Sequence, residues 1–296
     1  MSRSFSEAVL SYLETTRAEG DKRRLGRILT ALGDARLNEI DQNAIDRARR
    51  AMLAADASPA TVRRGIVTPM RAVMMHAWRR GWCERPHFEI PHEPKGRTRF
   101  LLPEEAERLI AAAKPHIALL LTTLLCTGMR MAETLELNWR EVDLGGARAI
   151  LWPDQTKSGR RRDVTLPPRL IVAFANLAHR DGAVIRRADG QPYADRAREG
   201  GGQIKTAWRG TLARSGLDRA LTPHDLRHTW ASWHYALNRD LLALKIAGGW
   251  SSVALVERYA HLLPAGQASA VARFWQMPGE TDDAADARLA QASANY

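Results

Sequence analysis

Cysteine is nearly missing from this chain: Cys83 and Cys126 are the two in 296 residues. They stand far apart in apolar surroundings, so no disulfide framework is expected, and the usage fits a reducing cytoplasm. Long hydrophobic runs are missing too. The longest apolar stretch, IALLLTTLLC at 117–126, is too short to cross a bilayer and is broken by threonines, so it reads as a buried core helix. No membrane partner is expected. The opening MSRSFSEAVLSYLETT lacks a basic stretch followed by an apolar one, which argues against a secretory signal. Internal repeats are also lacking. Acidic residues are in deficit, with 33 Asp and Glu against 44 Lys and Arg, giving a net charge of +11 and a pI near 10.3. That balance favours polyanionic partners, nucleic acid first and an anionic membrane surface second.

The charge is spread over most of the chain. Residues 1–95 carry a net +5, residues 96–278 a net +9, and the last 18 residues a net −3. Two basic parts suit a bipartite contact surface better than one basic tail. Apolar residues recur at helical spacing through SFSEAVLSYLE, KRRLGRILTALG and NAIDRARRAMLAA. A further helix opens at Ser58-Pro59 and runs to Gly81, with Val62, Ile66, Met70, Val73, Met74 and Trp78 on its core stripe. Arg63, Arg64, Arg71 and Arg79 flank the stripe and are candidate DNA-backbone contacts. Three prolines and several charges between 84 and 99 break the periodicity. A helical domain is therefore expected over 1–90, a linker over 91–99, a second domain over 100–276 and an acidic, mobile tail over 277–296.

In the second domain the period changes between 138 and 167. NWREVDL, ARAILWP and RRDVTLP read as a three-stranded antiparallel meander, with Lys157 in its second turn. Helices return from 167 on, including 223–237, 240–247 and a short one around 252–260. The fold class is thus mainly α, a helical domain followed by a mixed α+β domain with one small sheet. GQASAVARFW is a final amphipathic helix that could pack on its own domain or dock into a neighbouring copy.

Five places carry deliberate-looking chemistry. CTGMRMAE sets Arg130 at a helix opening beside an apolar core, with Glu133 three residues on to orient it. TKSGRRRDV puts Lys157 at a hairpin tip, with Arg160, Arg161 and Arg162 following as candidate DNA contacts. TPHDLRHTW offers a cap at Thr222 and an N1 proline at Pro223, so His224 and Arg227 leave one helix face three residues apart. GGWSS places Trp250 after two glycines, and VERYAH places Tyr259 beside Arg258 and His261. Singly, each has a plain structural explanation: a helix ion pair, a basic turn, core packing.

Arg, Lys, His-x-x-Arg, Trp and Tyr in this order, within TGMRMAE, TKSGRRRDVTLP, TPHDLRHTWAS and GGWSSVALVERYAH, resemble the tyrosine recombinase family of phage integrases and relatives. The resemblance covers about 97–275 through these motifs, and the helical 1–90 segment looks like the family's core-binding domain. It implies a site-specific recombinase that cleaves and rejoins DNA through a 3′-phosphotyrosine. Tyr259 would then be the nucleophile, Arg130 and Arg227 the grip on the scissile phosphate, and His224 and Trp250 further donors. Lys157 would be the general acid and Glu133 a support. At 250 the family usually carries histidine, and an indole cannot accept a proton. Among the site's own residues, His224 is the best-placed acceptor for the Tyr259 proton, while His228, His234 and His261 have no assigned chemistry.

The resemblance further implies double-stranded DNA as substrate, a homotetramer on paired sites and accessory DNA-bending proteins as candidate partners. No metal or other cofactor is expected, and no Gly-rich ATP loop is found. Compared with the larger phage integrases no arm-binding module precedes the helical domain, which implies either a system that needs none or a module outside these residues. Two other readings stay open: a type IB topoisomerase-like nicking and rejoining enzyme, and a DNA-binding regulator reading DNA with the 223–237 helix. The regulator leaves Arg130, Lys157 and Tyr259 without a purpose.

Overall fold

The computed structural model describes residues 3–16, 19–92, 99–156, 159–193, 204–260 and 266–276. The chain divides into two compact units, Met1–Gly96 and Arg97–Tyr296. Among the described residues no helix is long and apolar enough to cross a membrane.

The first unit is helical: α1 (Phe5–Thr16), α2 (Glu19–Leu32), α3 (Gln42–Met52), α4 (Pro59–Val62) and α5 (Thr68–Arg79). Asp41 starts α3 by accepting the Ala44 N–H at 3.0 Å, and Ser58 starts α4 by accepting that of Thr61 at 3.3 Å. The single helix expected from Ser58 widens in its middle into a π turn, Arg63–Val67. Pro69 has no N–H to offer Gly65, and the Thr68 N–H instead reaches back to the Arg63 carbonyl. The stripe survives the widening, since Val62, Ile66, Met70, Val73 and Met74 are all buried with Phe5, Leu25, Ile28 and Ile45. Trp78 is the exception. It is 38% exposed rather than core, with the Arg85 guanidinium 5.5 Å from its ring centre.

The second unit starts with α6 (Pro103–Ala111), α7 (Pro115–Thr127) and α8 (Met131–Glu136). After the strands come α9 (Pro168–Ala175), α10 (Lys205–Ser215), α11 (Pro223–Asn238), α12 (Leu241–Gly248) and α13 (Ala268–Trp275). The apolar run read as a core helix is α7, and it buries Ile117, Leu120, Leu121, Leu124 and Leu125. At about 1.5–3 kcal/mol for each fully buried leucine or isoleucine, this helix anchors the unit. It packs along α11, which contributes Leu226, Trp230 and Trp233. The last helix among the described residues, α13, packs on its own domain: Trp233 meets Phe274 edge-on at 4.8 Å, and the Trp275 indole N–H donates to the Leu125 carbonyl at 3.1 Å.

The sheet is a meander of β1 (Val142–Asp143), β2 (Arg148–Leu151) and β3 (Arg162–Thr165) in that order, antiparallel throughout. Its first strand is shorter than NWREVDL promises. The Asn138 side chain accepts the Arg140 N–H, and the Glu141 carboxylate accepts that of Asn138, which winds Trp139–Glu141 into a 3-10 turn. Alternation in β2 and β3 points Ala149, Leu151, Arg162 and Val164 inward, while Arg148, Asp163 and Thr165 face out. The helix expected around 252–260 is two 3-10 turns, Val253–Leu255 and Glu257–Tyr259. β-Branched Val253 and Val256 in so short a segment favour the tighter i→i+3 closure.

Candidate active site

Five chain segments supply this site. Gly128 ends α7 in the left-handed conformation, φ +61°, and a Cβ there would lie 2.1 Å from the Trp230 ring, so both backbone and space require glycine. The chain then leaves α7 so that Arg130 starts α8 in extended conformation. Its N–H donates to Glu133 Oε2 at 2.8 Å, and its Nη1 donates to Glu133 Oε1 at 2.6 Å.

Glu133 is 2% exposed and also takes the Arg162 Nη2 at 2.6 Å. Burial pushes its carboxyl up, but Arg162, Arg130 and the Arg130 N–H outweigh that and hold it below the usual range. Arg162 was expected as a DNA contact, and the structure corrects this. It opens β3 on the same face as Val164, is 8% exposed, and gives its Nη1 to the Ala247 carbonyl at 2.9 Å. The period-2 alternation of RRDVTLP carried the signal.

Arg227 is buried one helical turn into α11. Its Nη1 donates to the Gly128 carbonyl and its Nη2 to the Gly248 carbonyl at 2.6 Å, while the guanidinium lies 4.2 Å over the Trp250 ring. Burial pushes it down to about 9, with repulsion from Arg130 and Arg162 adding, so it stays cationic at neutral pH. A Cβ on Gly248 would lie 1.7 Å from the Trp250 ring, so the glycine is what lets the indole settle there. Trp250 in turn stacks on Trp230 at 6.3 Å and touches Tyr259 at 5.7 Å.

Tyr259 ends the second 3-10 turn and is 2% exposed. His224, the expected acceptor of its proton, does not hold it. The phenol oxygen meets His228 Nδ1 at 2.6 Å, one turn further along α11. Burial foremost, then His224, Arg258 and Arg227, push His228 down to about 4 against the opposing pull of Asp225. Burial pushes the Tyr259 phenol up, partly offset by Arg227 and Arg258. Those shifts keep the phenol protonated and the imidazole neutral, and in the tautomer that carries its proton on Nε2 the Nδ1 atom accepts from the phenol. His224 lies edge-on to His228 at 4.8 Å, keeps an exposed edge, and is also lowered, by desolvation and then Arg227. His228 is the residue that sequence reasoning missed, although its i+4 spacing from His224 placed it on the same stripe.

Thr222 opens α11, but its N–H and hydroxyl both donate to the Asp225 carboxylate, at 2.7 and 2.8 Å, rather than its hydroxyl accepting from the helix. Lys157, His261 and the 277–296 tail lie outside the described residues. Arg160 and Arg161 are exposed on the β2–β3 arm. Arg161 pairs with Asp163 at 3.1 Å and covers the exposed Trp152 ring at 5.5 Å. Arg63, Arg64, Arg71 and Arg79 are exposed on the other unit.

The cluster sets three guanidinium groups against one carboxylate, beside a buried tyrosine hydroxyl. Such a surplus of fixed positive charge is an anion site, and its planar forks suit phosphate oxygens. No group of three or more His, Cys, Asp or Glu side chains able to hold a metal occurs among the described residues.

Similarity to known proteins runs in the same direction. The integrase of Salmonella phage P22 is 31% identical over 200 residues, covering 64% of this chain and 51% of that protein. The tyrosine recombinase XerC of Rhodospirillum centenum is 30% identical over 226 residues, 72% of this chain and 65% of that one. The chain thus spans about half to two thirds of these relatives. In fold it is similar to the Tn1549 transposon integrase, solved with a circular intermediate DNA, at TM-score 0.69 and 15% identity over 91% of this chain and 98% of that one. A lambda integrase dimer bound to a COC′ core site gives TM-score 0.65 at 16% identity, over 87% and 95%. The sequence profile of the phage integrase family matches residues 99–265, which is more than half of the chain and takes in Arg130, Arg227 and Tyr259 alike, and the chain belongs to that family.

Proposed function

We propose that this protein is a site-specific DNA recombinase of the integrase type, which cuts and rejoins strands through a 3′-phosphotyrosine at Tyr259. The observation that carries the reading is the Tyr259 hydroxyl held beside a cluster of three guanidiniums, two of them paired to one buried carboxylate and the third, Arg227, held by backbone carbonyls. A phosphodiester repels nucleophiles through its charge, and the pentacovalent transition state is more negative still. Fixed cations in a dry pocket stabilise that added charge more than the ground state.

Each side chain then has a task. Arg130 keeps N–H groups beyond those on Glu133, and Arg227 uses two of its five on carbonyls, leaving forks for the nonbridging oxygens. His224, with an exposed edge above the cluster, and the Trp250 indole N–H add donors. Glu133 and Arg162 hold the Arg130 side in place. Lys157 protonates the departing 5′-oxygen. The first unit, with Arg63, Arg64, Arg71 and Arg79 exposed, serves as the core-binding half of a clamp on duplex DNA, and Arg160 and Arg161 add backbone contacts from the hairpin. Four copies act on paired sites, in the cytoplasm, with DNA-bending proteins as accessory partners.

The test is covalent capture. Nicked duplexes bearing a randomised central stretch are incubated with the full chain, and SDS-resistant adducts are recovered and sequenced. We expect adducts enriched for one sequence. Tyr259→Phe is expected to bind the enriched duplex but form none, and an adduct from that variant would show the assigned nucleophile to be wrong. Relaxation of supercoiled plasmid without sequence enrichment would instead identify a topoisomerase.

A further inference from the structure

We infer that His228 is a catalytic residue of this cleavage, the group that takes the proton from the Tyr259 hydroxyl as it attacks phosphorus. The inference rests on the recombinase reading above, and its basis is geometry. Tyr259 is 2% exposed, and its oxygen sits 2.6 Å from His228 Nδ1, so the imidazole rather than bulk water meets the phenol. Among the described residues no hydrogen bond joins His224 to Tyr259. His224 faces outward, edge-on to the His228 ring at 4.8 Å, which suits a donor to phosphate better than a base for the phenol.

The charged and titratable groups facing His228 are His224, Asp225 and Arg227 on its own helix, and Arg258 and Tyr259 from the turn packed against it. Burial and the cations outweigh Asp225 and keep the ring neutral, and with its one proton on Nε2 the ring turns the Nδ1 lone pair to the phenol. In the free protein the proton stays on the phenol, because so weak a base cannot remove it. A phosphodiester entering the arginine cluster brings the negative charge that favours an imidazolium. The tyrosine is thereby held protonated until substrate arrives.

As Tyr259 Oη bonds to phosphorus, its proton passes to His228 Nδ1. The bond from phosphorus to the 5′-oxygen breaks, and that oxygen takes a proton from Lys157. In resealing, the 5′-hydroxyl returns its proton to Lys157 as it attacks, and the departing phenolic oxygen recovers its proton from His228. The cycle consumes nothing and leaves the protein's protons unchanged.

The experiment uses the full chain and the nicked duplex enriched in the capture screen. Single-turnover adduct formation is followed from pH 5 to 9 for the wild type, His228→Gln and Tyr259→Phe, with duplex binding measured by gel shift. We expect His228→Gln to lose about 10²-fold or more at pH 7 and to recover steadily with rising pH as hydroxide replaces the imidazole, with its affinity kept. A His228→Gln rate and pH profile matching the wild type overturns the role. Should that variant fold poorly, ¹⁵N-histidine NMR on the wild type decides. A bare Nδ1 on His228 at pH 7 whose resonance moves in Tyr259→Phe supports the step, and a protonated Nδ1 overturns it. A wild type that forms no adduct with any duplex overturns the recombinase reading, and the step with it, whereas an active wild type with an unaffected His228→Gln overturns this inference alone.

Discussion

Glu133 is the single anion holding two guanidiniums, and it is almost fully buried. Removing its charge leaves Arg162 buried without a counter-ion, which costs about 3–5 kcal/mol in comparable buried pairs. Glu133→Gln is therefore expected to lower unfolding stability by that order at pH 7, measured by urea titration. The pH dependence follows from the sign of its shift. A carboxyl held below its ordinary value of 4.5 stabilises fully above that pH and loses the contribution as pH falls through its folded value. The gap between wild type and variant should close as the titration is repeated towards pH 3. At this scale much of the site was legible, because Arg130, His224, Arg227, Trp250 and Tyr259 each stand in a short motif whose chemistry names itself. Two residues were not read correctly, and for different reasons. Arg162 is indistinguishable in type from Arg160 and Arg161, and only strand alternation separates it from them. His228 acquires its meaning from a partner 31 positions away, a tertiary contact that no local pattern contains.

Element geometry decides where those side chains end up. The α12 terminus does two jobs with one residue: Gly248 supplies a carbonyl to Arg227 and a vacant Cβ position for Trp250. Gly248→Ala must push the indole aside, disturbing its stack on Trp230 and the cation above it. We expect a loss of about 1–3 kcal/mol, typical of overpacking, together with a fall in adduct formation far larger than the stability loss explains. Urea unfolding and the capture assay on the same preparation check both. Helices were readable from a long apolar run, as in α7, or from a proline at the first helical position, as in α11. The π turn at Arg63–Val67 and the 3-10 turns that carry Tyr259 were not, since both reflect which hydrogen-bond length wins when a proline or a β-branched residue interrupts the pattern.

For the molecule as a whole, acid should be the weak side. Burial pushes both His228 and His234 down to about 4, so between the ordinary 6.5 and that value the unfolded chain binds protons the folded one refuses. Thermal unfolding midpoints are expected to fall as pH drops through this window, and less steeply in His234→Gln; parallel slopes would contradict the argument. The proline-rich break was read as a linker over 91–99, and the chain divides into its two compact units at Gly96 and Arg97. The order of contributions to the site was legible, but not its coherence. Gly128, Glu133, Arg162, Arg227, Gly248 and Tyr259 come from across the length of the second unit, and Arg227 bonds directly to two of them through the backbone. A nascent second unit that has not yet reached Tyr259 therefore holds no complete pocket. On the recombinase reading, incompleteness is harmless by construction: the power to cut a strand arrives with the last element of the second unit to dock.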